Sequence, residues 1–417
     1  MTTPRPLSAL TIAVAGLVAL GVAMGIGRFA FTPLLPMMLA EGSTDLPGAS
    51  LLASANYLGY LMGALACTFQ PWLWKRLGLS AAADGPRLVR YGLVATALLT
   101  LGMAVHLQPT WPLLRFAAGV ASAVVFLYTT GFCLEQLARL GVPAMGALIY
   151  VGPGLGIVVS GLAATALVHL QVPAAWGWAA FGLLAALMTS AVWRVFHARR
   201  AQPGTAPAPG PAGTGPAPAH ARASEMMLLT LAYGLAGVGY IITATFLPVI
   251  ARQALPGAAG LDLFWPLFGA GVTLGAVFAS RMRSSGDLRL RLAACYAVQA
   301  AGVATSLMSP TPAGFALGSL LLGLPFTALT YFAMQEVRRV RPQQATPFMG
   351  LLTAAYGLGQ VAGPPMAAWL VGRSASAAAG FATSLWIATG LLLLGAALYL
   401  LIWWRHPVLK SPQAGGG

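Results

Sequence analysis

Gly25-Ile26-Gly27-Arg28-Phe29-Ala30-Phe31-Thr32-Pro33-Leu34-Leu35-Pro36 lies inside an apolar run from about Leu10 to Leu39, long enough to cross a bilayer. Two glycines thin the helix on one side of the arginine, and two prolines bend or unwind it on the other. A guanidinium at that depth costs ~2.5 to 3.5 kcal/mol on insertion scales, so it faces a bundle interior or a water-filled cavity. The rest of the chain reads as what is built around it.

The whole chain is as apolar as this stretch. Of its 417 residues 58% are hydrophobic and 7% charged, and the mean hydropathy is +0.79. That excludes a soluble globular domain and predicts an all-α integral membrane protein. Twelve apolar runs are predicted to cross, at 9–39, 50–71, 88–107, 111–136, 144–170, 176–196, 226–250, 262–281, 290–308, 312–335, 346–371 and 379–403. The first is too long for a signal-peptide core and is read as a retained helix.

The net charge of +15 invites a nucleic-acid partner, but no basic face with interleaved aromatics exists to bind one. The basic residues alternate with the crossings instead. Lys75, Arg76, Arg87, Arg90, Arg139, Arg281, Arg289, Arg291, Arg338, Arg339 and Arg405 fall on one side, and only Arg252 and Arg373 on the other. By the positive-inside rule the basic side and both termini are cytoplasmic, in a multi-pass protein of the bacterial inner membrane. Cys67, Cys133 and Cys295 all lie in apolar runs, as small buried hydrophobes rather than a disulfide framework.

Residues 201–224, rich in Pro, Gly and Ala, have almost nothing to bury and read as a flexible linker between an N-terminal six-helix bundle (1–200) and a C-terminal one (225–417). The halves repeat. A shift of 212 positions superposes Gly25 on Gly237, Gly27 on Gly239, Leu35 on Leu247, Pro36 on Pro248, Gly59 on Gly271, Gly63 on Gly275 and Ala64 on Ala276. Two parallel repeats about an axis along the membrane normal place a solute site near the midplane, at their interface.

The first-helix stretch together with Asn56-Tyr57-Leu58-Gly59-Tyr60 resembles the YbfB/YjiJ family of the major facilitator superfamily, and the superfamily resemblance covers the full length. Arg115-Phe116-Ala117-Ala118-Gly119 resembles the arginine-to-glycine motif of its fourth helix. Gly152-Pro153-Gly154-Leu155-Gly156 resembles the fifth-helix motif often seen in antiporters, and Gly359 to Pro364 echoes it in the eleventh helix. The resemblance implies alternating access by rocking of two six-helix halves, with helices 1, 4, 7 and 10 lining the cavity. One departure stands out: after the second helix Gly63 is followed by Cys67 and then Lys75-Arg76-Leu77-Gly78, without the acidic residue of the usual cytoplasmic latch. Glu135 and Glu336, each closing a fourth helix of its half, can supply that charge by pairing with Arg139 and Arg338 as gating or coupling groups.

Arg28 has two readings. Its fork of donors binds a carboxylate in a low-dielectric cavity, or it is satisfied by carbonyls freed at Pro33 and Pro36 or by a neighbouring helix. Function is favoured because all eight acids, Glu41, Asp45, Asp84, Glu135, Glu225, Asp262, Asp287 and Glu336, lie in loops or at helix ends. Arg115 is a second anion contact or a proton-relay partner, or it snorkels to the interface. Tyr240 is the counterpart of Arg28 under the repeat. Asn56, Tyr57, Tyr128, Tyr150, Tyr233, Tyr331, Tyr356 and Gln360 add hydroxyls and amides to an aromatic-walled pocket, although such groups also serve as glue between helices. The pairs Gly59/Gly63, Gly271/Gly275 and Gly359/Gly363 read as close helix packing.

No spacing fits a metal site, no phosphate loop supports direct ATP drive, and neither a cofactor nor enzymatic chemistry is expected. The expectation is a monomeric secondary active transporter of a small organic anion, with protons moving alongside the substrate or titrating Glu135. Two alternatives remain: an exporter of amphipathic drugs or metabolites in which Arg28 is structural, and a sensor or scaffold that moves nothing.

Overall fold

A segment with no water to bond to must satisfy its backbone internally, and an apolar chain in a bilayer does so as helices. The computed structural model describes residues 7–78, 84–197, 219–282 and 286–407, and its regular elements among these are all helices, with no strand. Among the described residues ten segments are by themselves long and apolar enough to cross a membrane. Two further helices complete the set of twelve: α4 (Gly85–Gly102), whose first turns carry Arg87 and Arg90, and α13 (Ala345–Arg373), with Pro364 and Pro365 inside it.

The first crossing is broken where the sequence predicts. α1 (Ala9–Leu20) runs into a π-helical turn (Gly21–Ile26), an irregular stretch follows, and α2 (Phe31–Ala40) resumes. Gly27 N–H reaches back five residues to Val22 O (2.9 Å) and Phe29 N–H to Met24 O (3.1 Å), while Thr32 N–H donates to Phe29 O (3.2 Å). Pro33 has no N–H to offer Phe29 O, so the helix cannot continue its ordinary ladder there. Widened and broken turns leave carbonyls that other elements must satisfy.

The remaining N-half helices are α3 (Leu46–Arg76), α5 (Trp111–Arg139), α6 (Gly152–His169) and α7 (Ala174–Val192). The C half holds α8 (Ala219–Ala254), α9 (Phe264–Arg281), α10 (Leu288–Met308), α11 (Pro312–Gly323), α12 (Phe326–Val340), α13 and α14 (Ala377–Arg405). α11 and α12 form one crossing interrupted at Leu324-Pro325. Residues 201–218 of the expected linker lie outside the described residues, and its last residues, from Ala219, already belong to α8.

Small residues let these helices touch backbone to backbone. A Cβ on Gly25 would sit 2.4 Å from Gly156 Cα, and one on Gly119 would sit 2.0 Å from Asn56 O. α1 and its π turn therefore lie directly on α6, and α3 directly on α5. Between the halves α3 packs on α13 and α6 on α9.

The halves are sealed toward the face that carries Arg252 and Arg373. Residues 31–38 and 239–251 are buried on all sides. Thr32 Oγ1 donates to Ala244 O (3.0 Å), Ser50 Oγ to Pro364 O (3.0 Å) and Ser54 Oγ to Val361 O (2.8 Å), and Tyr57 Oη bonds Thr245 Oγ1 (2.9 Å). Thr32 and Ala244 are 212 positions apart, so this seam joins equivalent points of the repeat. Toward the basic face Tyr60, Tyr150 and Tyr356 are half-buried and Tyr331 is 48% exposed.

Candidate functional site

Arg28 sits at the break in the first crossing, just on the basic side of the seam, and is 3% exposed. Its Nη2 donates to Gln360 Oε1 at 2.6 Å. Gln360 Nε2 in turn donates to Tyr240 Oη, so one amide on α13 bridges two positions equivalent under the repeat. The guanidinium lies over the ring of Tyr60, with Cζ 4.1 Å from the centroid, and beside Tyr57 at 5.2 Å. Its Nε is buried without a hydrogen-bond partner. Among the described residues no carboxylate pairs with it. Ring faces and one neutral oxygen thus hold a full charge that burial makes costly.

Arg115 and Asn56 stand next to it but are turned to the backbone. Arg115 Nη1 donates to Gly27 O (3.3 Å) and Nη2 to Arg28 O (3.0 Å), and its Cζ lies 5.2 Å from the Phe31 ring and 5.8 Å from Trp178. Asn56 Nδ2 donates to Arg115 O (2.9 Å) and Gly27 O (3.4 Å). Ser122 Oγ donates to Ala23 O (2.8 Å), the carbonyl level with the π turn. α3 and α5 therefore answer the carbonyls of the broken helix, and this fixes where Arg28 points.

Tyr356 belongs to the same centre through its ring: Tyr233, Tyr356 and Tyr240 stack in series, with centroids 4.8 and 5.7 Å apart. Phe326 meets Tyr240 edge-on at 5.2 Å. Of the residues expected from sequence, Arg28, Tyr57, Tyr240, Tyr356 and Gln360 converge here, with Asn56 and Arg115 behind them. Tyr128, Tyr150 and Tyr331 lie apart. Tyr128 Oη donates to Gln70 Oε1 (2.9 Å), the Tyr150 ring packs on Phe126, and Tyr331 lies against Phe332. Tyr60, Ser122, Thr32 and Thr245 were missed. Tyr60 was legible, since it falls three and four residues after Tyr57 and Asn56 on the same helix face.

Of the two expected gating pairs one forms and the other is replaced. Glu135 pairs with Arg139 at 2.6 Å within α5, on an exposed surface. Glu336 is buried, and its partner is Arg339 (2.7 Å) rather than the exposed Arg338. Arg339 also pairs with Glu225 (2.5 Å), and the fully buried Arg289 lies 3.7 Å from both Glu225 and Glu336. Arg289 forks onto Asp287, Nε to Oδ1 at 2.8 Å and Nη2 to Oδ2 at 2.5 Å, and donates to Ile402 O and His406 O. This network lies wholly within the C half. It braces α8, α10, α12 and the end of α14.

Burial alone would raise the carboxyl pKa of Asp287, but hydrogen bonds from the Arg289 side chain and backbone, and the charges of Arg289 and Arg339, outweigh it and lower the pKa. A carboxylate depressed on folding adds stability above its unfolded pKa, near 3.9, and loses it as pH falls through the folded value. Asp287→Asn is therefore expected to be less stable than wild type at neutral pH, with the gap closing below about pH 4. Thermal unfolding across that range checks this, and a gap that widens in acid contradicts it.

No group of three His, Cys, Asp or Glu residues among the described residues is arranged to hold a metal.

Residues 20–400 match a family described as "Uncharacterised MFS-type transporter YbfB". Two solved structures are similar over nearly the whole chain. A mutant of the nucleoside transporter NupG is 16% identical with a TM-score of 0.68, covering 94% of this chain and 99% of that one. Nucleoside transporter NupG itself is 15% identical with a TM-score of 0.62, covering 95% and 98%. At these identities the likeness is one of fold. No curated protein matches the sequence.

Proposed function

The chain belongs to the YbfB-like family of MFS-type transporters, and from that premise we propose that it moves a small organic anion by alternating access, with Arg28 as the charge contact. Secondary transport, without enzymatic chemistry, follows from the family; the anion is our reading. One observation carries it: Arg28 is a buried cation with a single neutral acceptor, an unpartnered Nε and no carboxylate partner among the described residues. A solute carboxylate supplies the missing counter-charge where a charge-assisted bond is strongest.

The basic face is the cytoplasmic one. The seam at Thr32, Ser50, Ser54 and Tyr57 then closes the outer side, and solute reaches Arg28 from the cytoplasm past the half-buried Tyr60 and Tyr356. Asn56 and Arg115 act as positioning residues that hold the broken helix, and Tyr128, Tyr150 and Tyr331 belong to the approach. The proton that accompanies the anion is carried away from Arg28, because a solute protonated at its carboxyl brings no counter-charge and no carboxylate among the described residues lies at the centre. The protein works as a monomer in a bacterial inner membrane.

A second reading rests on the Tyr233, Tyr356 and Tyr240 stack, which offers ring faces suited to an uncharged planar solute, and NupG is named for nucleosides. A thermal-shift screen separates the two. Small carboxylates should raise the unfolding temperature, by about 2.7 kcal/mol of added stability at a hundredfold excess over Kd, while their methyl esters and nucleosides should not. Equal shifts from esters or nucleosides would overturn the anion reading.

A further inference from the structure

The outer surface of the N half carries a groove between α4 and α7 that is unrelated to Arg28. It has a volume of about 400 Å³, within the range of built ligand clefts. Ala97 and Thr189, both nearly fully buried, form its floor. Val94, Leu98, Ala186 and Ser190 form its rims, and Trp193 with the exposed Arg194 stands at the end nearest the basic face.

Two observations set this groove apart from ordinary lipid-facing surface. First, Thr189 Oγ1 is buried with no hydrogen-bond partner. A threonine in a helix commonly donates to the carbonyl four residues back, and Thr96, Thr100 and Thr165 all do so here. Thr189 is five residues from Arg194, about 7.5 Å along the helix, so an unsatisfied hydroxyl lies one and a half turns deeper in the membrane than a guanidinium.

Second, the mouth is basic beyond Arg194. Arg90, one turn before Val94 on α4, donates through Nη1 to His197 Nδ1 (2.5 Å), lies over the Trp193 ring at 5.1 Å, and keeps its Nε unpartnered.

We infer that the groove binds one anionic phospholipid, with an acyl chain along Ala97 and Ala186, an ester oxygen accepting from Thr189 Oγ1, and the phosphate on Arg194 beside Arg90. Charge complementarity selects the occupant. An apolar slot capped by two guanidiniums at the basic leaflet fits a negative headgroup, as basic pockets between membrane helices do elsewhere.

Native mass spectrometry of the delipidated full-length protein tests this, with phosphatidylglycerol and phosphatidylcholine of identical chains as probes. Wild type should retain one phosphatidylglycerol about five-fold better than phosphatidylcholine, the factor one interfacial arginine supplies. Arg194→Gln leaves only Arg90, already engaged by His197 and Trp193, and should lose most of the preference, while Arg194→Lys should keep it; Arg194 is exposed, so neither change threatens folding. Ala97→Phe, which fills the floor, should lose both. Equal retention of the two lipids by wild type, an undiminished preference in Arg194→Gln, or displacement by free glycerol phosphate would each overturn the proposal, the last by assigning the mouth to a soluble phosphate.

Discussion

Arg28→Gln is expected to weaken binding of the carboxylate solute roughly 10- to 150-fold while leaving the unliganded protein at least as stable as wild type. The first part follows from losing one charge-assisted hydrogen bond, worth about 1.5 to 3 kcal/mol. The second follows from what surrounds Arg28 in the absence of solute. Its charge is buried against ring faces and a single amide oxygen, an arrangement that does not repay desolvation in full. Arg28→Lys keeps a point charge but not the planar fork, so it should fall between. Thermal unfolding with and without ligand reads both quantities. A structural arginine gives the reverse pattern, with low intrinsic stability and unchanged affinity, and that result would sink the assignment.

Arg289→Met is expected to cost about 3 to 5 kcal/mol, the penalty for leaving buried charge uncompensated. Arg289 is fully buried and is the only cation besides Arg339, among the described residues, that faces Glu225, Glu336 and Asp287. Removing it leaves three carboxylates around one guanidinium and frees Ile402 O and His406 O at the end of α14. The contrast is Glu135→Gln, which breaks an exposed pair on α5 and should cost no more than about 0.5 kcal/mol. Denaturant unfolding of the two variants side by side checks the ranking. A loss below about 1 kcal/mol for Arg289→Met would mean that the carboxylates find water or protons instead.

What was legible in the sequence was whatever local chemistry dictates. Two prolines without N–H groups and flanking glycines mark the break at Arg28, and a guanidinium inside an apolar run marks the centre. The repeat shift of 212 reappears as the distance between Thr32 and Ala244. The partner of Arg28 was not legible as such, since Gln360 is 332 positions away and the rotation of α13 about its axis is set by backbone contacts that no periodicity reports. The same cause hid the choice of Arg339 over Arg338. Adjacent helical residues point about 100° apart, and only the neighbouring helices decide which one faces inward. Arg289 reads in sequence as one more loop cation. Its burial comes from α8, α12 and the end of α14 converging on it.

Gln360 also bears on the empty protein. A carrier whose cation would be bare in hydrocarbon must wait for cargo before it reorients, which ties it to one-for-one exchange. Arg28 brings a surrogate with it, an amide oxygen that can stand in for the departed solute and yield to the next. Unladen return is then cheap, and preloaded vesicles should release solute into plain buffer nearly as fast as into buffer containing it. Gln360→Leu strips the surrogate away and should leave only the exchange mode; equal slowing of both modes would show that the amide serves the cargo rather than its absence.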